Sequence, residues 1–369
     1  MDLSTRIFLT CLALVPLAFL VFPLPAFGPQ IAGSAASGMG SVLAFAASLR
    51  RRTSETVLRR NTSSLLIAKL PTAQRKNMPE QSVMRAELEI LEALHFCPQG
   101  GTPADRNLAI ARILKRFCDA WKAPSIQALR GCEVLELYLL NMALRASPGE
   151  AGRLAQFFAR PDTVLTLKDD VDLIVEKRAA WDRGQAAYLA TQCLFRHQRS
   201  GLGMPSLLTA LRTLSAPDPD LWHFVVSCHN PQDAAQRAAA IWCLQQPNCD
   251  RATAAHFLTG LAESDILITA ALHNDMSFVI GVRDVISRWN AGGYTSHVLG
   301  FDPETTPTSS EAQLENMCAN IARLTGATQY PVPHKIFTPL LGRAARNREH
   351  WDLKNGQINA QPVLVDYLP

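Results

Sequence analysis

The sequence lacks most of the short patterns that reveal an enzyme class. It contains no HExxH, GxSxG, Walker or GxGxxG pattern, so a metalloprotease, a serine hydrolase of that type, a P-loop NTPase and a dinucleotide-binding enzyme have no motif support. Its 369 residues carry a formal net charge of only +4, without the concentrated basic stripe of a nucleic-acid surface. We therefore expect no nucleic-acid partner, no bound metal and no cofactor.

Paired cysteines are missing as well. The nine cysteines are scattered singly, and no CxxC occurs. An odd number of isolated cysteines in apolar surroundings is typical of small buried side chains in a reducing compartment. A disulfide framework or a zinc cluster is therefore disfavoured.

Strand signals are scarce, and helical periodicity dominates. The β-branched fragments are confined to 164–167 and 363–367, whereas apolar residues make up 48% of the chain. From Pro79 onward these residues recur at helical spacing between short Pro- and Gly-containing turns. Separate helices are expected over 171–181 and 185–199, and no self-similar period indicates a solenoid. The predicted fold class is all-α, with one or more N-terminal transmembrane segments followed by a multi-helix array with short turns.

The N-terminus predicts contact with a lipid bilayer. Residues 7–27 are apolar throughout apart from three prolines, and about 20 such residues suffice to cross a membrane. Residues 31–49 are uncharged and rich in Gly and Ser, which suits a second span. Three topologies stay open: two spans, one span with 31–49 at the interface, or a cleaved signal peptide over 1–28.

An arginine cluster follows this apolar region, within residues 50–60. Positive charge next to a span favours the cytoplasmic side. We therefore expect a protein of the inner or cytoplasmic membrane with its soluble part in the cytoplasm, and export is the alternative.

Composition divides the chain into five predicted regions. Two prolines and two aspartates within 216–220 indicate a break between helices. The regions are a membrane anchor (1–49), a basic juxtamembrane linker (50–78), a helical array (79–215), a second helical domain (216–306) and a C-terminal helix with an extended tail (307–369).

The second helical domain holds the candidate site. Helices are expected over 221–228, over 232–246 and from Arg251 onward, with Asp250 capping the last one. In the structural interpretation, the tryptophans are core residues and Cys249 is a small buried side chain. The candidate functional or structural residues are Trp222, His223, Asn230, Trp242, Pro247, Cys249, Asp250 and Thr253.

These residues carry a resemblance to a known family. The run 221–223, Asn230, the pair 241–242, the run 246–250, the run 252–254 and the segment 285–303 together resemble the bacterial family numbered 4274 among the domains of unknown function. The resemblance covers about residues 218–306 and implies a domain boundary without an assigned activity. Two departures stand out: residues 230–234 (Asn-Pro-Gln-Asp-Ala) stand where the family tends to carry an Asn-Trp-Asp-Asp-Gly-like run, and Ala252 stands where the family prefers Gly.

A helical repertoire without a chemical motif favours a protein-interaction or scaffolding module. We therefore expect an unidentified protein partner. The alternative is an uncharacterised hydrolase or metal-dependent enzyme with its site around His223, Cys249 and Asp250. A second alternative, dependent on signal cleavage, is a secreted helical binding domain.

Overall fold

A computed structural model describes residues 78–95, 101–201, 206–303 and 310–369. In these ranges the chain forms twelve α-helices and one two-stranded antiparallel hairpin, which confirms the predicted helical character. The helices are α1 (Gln81–His95), α2 (Arg106–Ala120), α3 (Gly131–Arg145), α4 (Pro148–Ala155), α5 (Pro161–Arg199), α6 (Leu207–Thr213), α7 (Pro219–Cys228), α8 (Ala234–Gln245), α9 (Arg251–Ala262), α10 (Ile266–Leu272), α11 (Met276–Asn290) and α12 (Ser310–Thr325).

The predicted fold class is wrong in its membrane part. Across the described ranges, no helix combines the length and the apolar character that a bilayer span requires. The longest helix, α5, has 39 residues but carries charged side chains along its length, such as Lys168, Asp169 and Arg183. The predicted spans 7–27 and 31–49 lie outside the described residues, as does the linker apart from Met78.

Two further expectations are corrected. The separate helices expected over 171–181 and 185–199 are parts of the single helix α5, because no proline interrupts the run and Gly184 stays helical. The β-branched fragment 164–167 also lies in α5. The strands are instead β1 (Trp351–Asp352) and β2 (Gln357–Ile358), whereas 363–367 contains a 3₁₀ turn over Leu364–Asp366.

The described chain divides into two compact units. Among the described residues, the first consists of 78–95 and 107–171, and the second of 101–106, 172–201, 206–303 and 310–369. Residues on both sides of Ala216 therefore belong to the second unit. The domain boundaries expected at 215/216 and 306/307 stay predictions.

Helix α3 is the centre of the first unit. It packs against α1 and α4, and most of its apolar side chains are buried, including Val134, Leu137 and Leu140. Arg85 of α1 fixes the turn before α3, since its Nη1 donates to the Ile126 carbonyl at 2.7 Å. Burial of these apolar side chains contributes hydrophobic stabilisation to the unit.

The second unit surrounds one apolar cluster that extends from Leu194 to Ile358. Helix α8 contacts α6, α7 and α11, while α9 contacts α7 and α12. Gly281 allows α8 and α11 to approach closely, because a Cβ at that position would lie 2.7 Å from Cγ2 of Ile241. This packing places the predicted site residues of α7, α8 and α9 beside one another.

Candidate functional site

The two tryptophans of the candidate site are packing residues. Asp218 caps α7, since its Oδ1 accepts from the backbone N–H groups of Asp220 and Leu221 at 3.1 Å. Trp222 then lies on the buried face of α7, and its ring meets that of Trp242 edge to face at 6.4 Å between centroids. This geometry is favourable for two aromatic rings and joins α7 to α8.

His223 contacts α9 rather than an acid. Its Nδ1 lies 3.1 Å from the hydroxyl of Thr253, which is fully buried, and its ring centroid lies 5.7 Å from that of His256. Burial lowers the pKa of His223, and the neighbouring His256 lowers it further. At neutral pH the ring is therefore neutral and serves as a hydrogen-bonding link between α7 and α9.

Asn230 and Pro247 shape the turns at the two ends of α8. The Asn230 N–H donates to Oε1 of Gln236 at 2.7 Å, and its side-chain carbonyl accepts from the Gln232 N–H. The Pro247 carbonyl accepts from Nη2 of Arg288 at 3.1 Å. Arg288 also donates to the carbonyls of residues 244 and 246, so it satisfies the C-terminal end of α8.

Asp250 is buried and joins α9 to a distant loop. Its Oδ1 caps α9 by accepting from the Ala252 N–H at 3.0 Å. Its Oδ2 accepts from the Ser296 hydroxyl at 2.9 Å and from the Val298 N–H at 2.7 Å. The Arg251 N–H completes the junction by donating to the Ser296 carbonyl. The carboxylate therefore holds residues 296–298 in place.

The three residues of the enzyme alternative make separate structural contacts. Cys249 is fully buried, and burial raises the pKa of its thiol to about 12, so the thiolate needed for attack is absent at neutral pH. Asp250 uses both oxygens in capping and loop contacts, and His223 bonds a threonine. No group of three or more His, Cys, Asp or Glu side chains suited to a metal occurs in the part of the chain that the structure describes.

A cleft of about 900 Å³ lies beside these residues in the second unit. One wall is a face of α5 that includes Leu173, Lys177 and Arg183. The opposite wall consists of the prolines of 216–219, Asn248 and the loop 295–298. We call this feature the α5 cleft. Its volume falls within the range of about 300–1,000 Å³ that ligand pockets occupy.

The C-terminal segment connects the two parts of the opposite wall. Residues 340–343 pair with 298–301 through backbone hydrogen bonds, including Arg343 N–H to the Val298 carbonyl at 3.0 Å. The Arg343 side chain donates from Nη1 to Oδ1 of Asp220 and from Nη2 to Oδ2, each at 2.7 Å. Burial raises the pKa of Asp220, but the hydrogen bonds from Arg343 and from the Arg346 N–H, together with the charges of Arg343 and Arg348, outweigh this effect, so the pKa lies below its ordinary value. The carboxylate is therefore ionised and holds the wall rigidly.

A second buried ion pair lies behind this wall. Arg348 is 1% exposed and donates from Nε to Oδ2 of Asp218 at 2.8 Å. Its guanidinium also stacks 3.9 Å from the centroid of the Tyr367 ring and donates to the Asp366 carbonyl. Burial lowers the pKa of Arg348, but the charge and hydrogen bond of Asp218, together with Tyr367 and Asp220, raise it above its ordinary value, so the group stays charged.

Sequence reasoning missed the basic residues of this wall. Neither the arginines of 343–348 nor the lining residues of α5 are among the site residues predicted from the sequence. The available signal was a match of charge: an Asp-Pro-Asp run at 218–220 and an Arg-rich run at 343–348. More than 120 residues separate the two runs, so local periodicity carries no information about their pairing.

Comparison of the chain with protein-family models, curated proteins and solved structures gives no match in any of the three. The resemblance to family 4274 over residues 218–306 therefore stays a prediction.

Proposed function

We propose that the second unit is a protein-interaction module whose α5 cleft binds an acidic, partly apolar peptide segment of a partner protein. The observation that carries this proposal is the composition of the cleft. Leu173 and Val298 are 49% and 41% exposed, and they share the lining with the cations Lys177 and Arg183. Apolar side chains beside basic ones suit a ligand with both properties.

The charges of the lining favour an acidic ligand. Lys177 and Arg183 have no ion pair within the described residues, and Glu176 is the one acidic side chain in the lining. A carboxylate of the ligand would therefore meet a cation that is otherwise solvated, which favours association and orientation more than it favours raw affinity.

The lining chemistry supports binding rather than turnover. The Ser296 hydroxyl donates to Asp250 and is thus committed to the wall. His297 and Thr295 are exposed, and the lining includes no cysteine. A rigid wall built by Asp250, Asp220 and Arg343 is suited to hold a pre-formed surface, which reduces the entropy cost of binding.

Selection of random peptides displayed on phage against the full-length protein tests this proposal. We expect enrichment of peptides that combine Asp or Glu with apolar residues. A selected peptide, synthesised with a fluorophore, should bind with an affinity that falls as salt increases. Enrichment of basic or neutral peptides, or the absence of enrichment, would contradict the proposed ligand.

Matched variants locate the binding surface. Helix α5 offers two leucines of similar exposure: Leu173 in the cleft at 49% and Leu189 outside the lining at 52%. Leu173→Asp should abolish binding of the labelled peptide, and Leu189→Asp should leave it unchanged. Similarly, Lys177→Glu should weaken binding about tenfold or more, whereas Arg196→Glu on the same helix should have little effect. Equal effects within either pair would place the peptide elsewhere.

A further inference from the structure

A second concave surface lies between three other helices of the second unit. Helix α8 contacts both α6 and α11, and a groove of about 310 Å³ runs along it. Its lining includes the apolar side chains of Ile241, Trp242 and Phe278. At one end, Arg237 and Asp275 form an ion pair at 2.7 Å that joins α8 to the start of α11. We call this feature the α8 groove.

Exposed apolar side chains stand next to the groove. Ile280, which is part of the lining, is 41% exposed, and Met276 precedes it by one helical turn at 36%. Leu272, at the end of α10, is 66% exposed. Scattered apolar side chains on a surface need no explanation, but three together beside an apolar groove are typical of an interaction face.

The charged residues of the lining have opposite signs on different helices. Arg212 lies on α6, is exposed, and has no ion pair within the described part of the chain. Asp284 lies on α11, and its one ion pair there is with the adjacent, exposed Arg283 at 3.4 Å. An exposed pair of this kind contributes little, so Asp284 can take another cation at small cost.

We propose that this face binds a second copy of the chain in an isologous dimer. An interface with two-fold symmetry requires a surface that is complementary to itself. With the two-fold axis along α8, helix α6 of one protomer faces α11 of its partner. Arg212 then meets Asp284 of the partner subunit, and the contact occurs twice. The exposed Ile280 of each protomer enters the groove of the other, where its apolar surface is buried from water.

A partner of one charge sign fits this face less well. A basic ligand would meet Arg212, and an acidic ligand would meet Asp284. A second copy of the chain, related by the two-fold axis, presents an aspartate to Arg212 and an arginine to Asp284. Charge complementarity therefore selects a second copy of the chain as the occupant.

Reciprocal charge reversal tests the dimer. In Arg212→Glu, two acidic residues would face each other at both contacts, and in Asp284→Arg two basic residues would do so. Each variant alone should dimerise at least roughly tenfold more weakly than the unaltered protein. A mixture of the two variants should recover dimerisation, because the mixed dimer has one Glu–Arg and one Arg–Asp contact. A structural defect in either variant would not be repaired by mixing.

Sedimentation velocity of the full-length protein over a range of concentrations provides the measurement. Ile280→Asp should shift the protein to monomer, while Leu341→Asp, at a residue that is 95% exposed and outside the groove lining, should not. Circular dichroism of each variant checks that the helices are retained. A protein that is monomeric throughout, an oligomer that none of these changes affects, or a mixture that does not recover would each overturn the proposal.

Discussion

The buried carboxyl of Glu136 on α3 gives a direct test of the packing in the first unit. The residue is 8% exposed, and its Oε1 has no hydrogen-bond partner in the described ranges. Burial, with a smaller contribution from the nearby charge of Glu133, raises the pKa of Glu136 to about 7. The carboxyl is therefore protonated in the folded protein at mildly acidic pH and becomes charged near neutrality.

The size of the effect follows from the two states of the carboxyl. An ordinary glutamate has a pKa of 4.5, so the folded protein holds the proton more tightly than the unfolded chain does. The free energy of unfolding must then fall as pH rises from about 4.5 to about 7, and it is constant above that range with respect to this group. At about 1.4 kcal/mol for each tenfold change in proton affinity, the loss between about pH 5 and pH 8 is about 2 kcal/mol.

Glu136→Gln removes the ionisation while it keeps the shape of the side chain. We expect the variant to gain about 2 kcal/mol relative to the unaltered protein as pH rises from about 5 to about 8. Urea unfolding followed by circular dichroism gives the free energy at each pH. Glu87→Gln, at an exposed glutamate on α1, serves as the control. Its free energy of unfolding should change with pH as that of the unaltered protein does. Parallel curves for Glu136→Gln as well would refute the assignment of a buried, proton-binding carboxyl.

Substitutions at three positions test the second unit. Gly184→Ala would bring a Cβ to 2.3 Å from the Tyr367 carbonyl oxygen, so thermal unfolding should show a loss of about 1–3 kcal/mol. Gly260→Ala, in α9 with open space around it, should instead add about 0.5–1 kcal/mol, and a loss at both positions would contradict the close approach. Asp250→Ala removes a helix cap and two contacts to the loop 296–298, so a loss of about 3 kcal/mol is expected in urea unfolding, with Asn recovering part of it. An unchanged stability would show that the loop is held by other contacts.

Local signals in the sequence predicted the helices around the candidate site well. Asp250 caps α9 as expected, because a carboxylate directly before a helix can accept hydrogen bonds from the free N–H groups of its first turn. The turn at Pro231 and the break at 247–250 fall between helices for similar reasons, since proline cannot donate a helical hydrogen bond. Trp222 and Cys249 are buried, as the structural interpretation of these residues predicted.

The features that depend on distant residues were not predictable from local patterns. Gly184 was expected to lie between two helices, but α5 continues through it. The glycine is instead the place where the backbone of Tyr367 approaches the helix. Lys177 and Arg183 of the α5 cleft are exposed basic residues on a helix, and nothing in their local sequence distinguishes them from other such residues. They become part of a cleft because the loop 295–298 packs opposite them. Charge, spacing and periodicity describe neighbours along the chain, whereas the cleft brings together α5, the prolines of 216–219 and the loop 295–298.

The pairing of Asp218 and Asp220 with Arg348 and Arg343 has a consequence for the order of folding. These contacts join residues 130 and 123 positions apart, so the helices between them can form and collapse long before the contacts close. Until then two aspartates lack the arginines that compensate their burial, and the wall of the cleft stays open. We therefore expect the second unit to reach its final form late, once residues 343–348 have packed, with the cleft among the last parts to form.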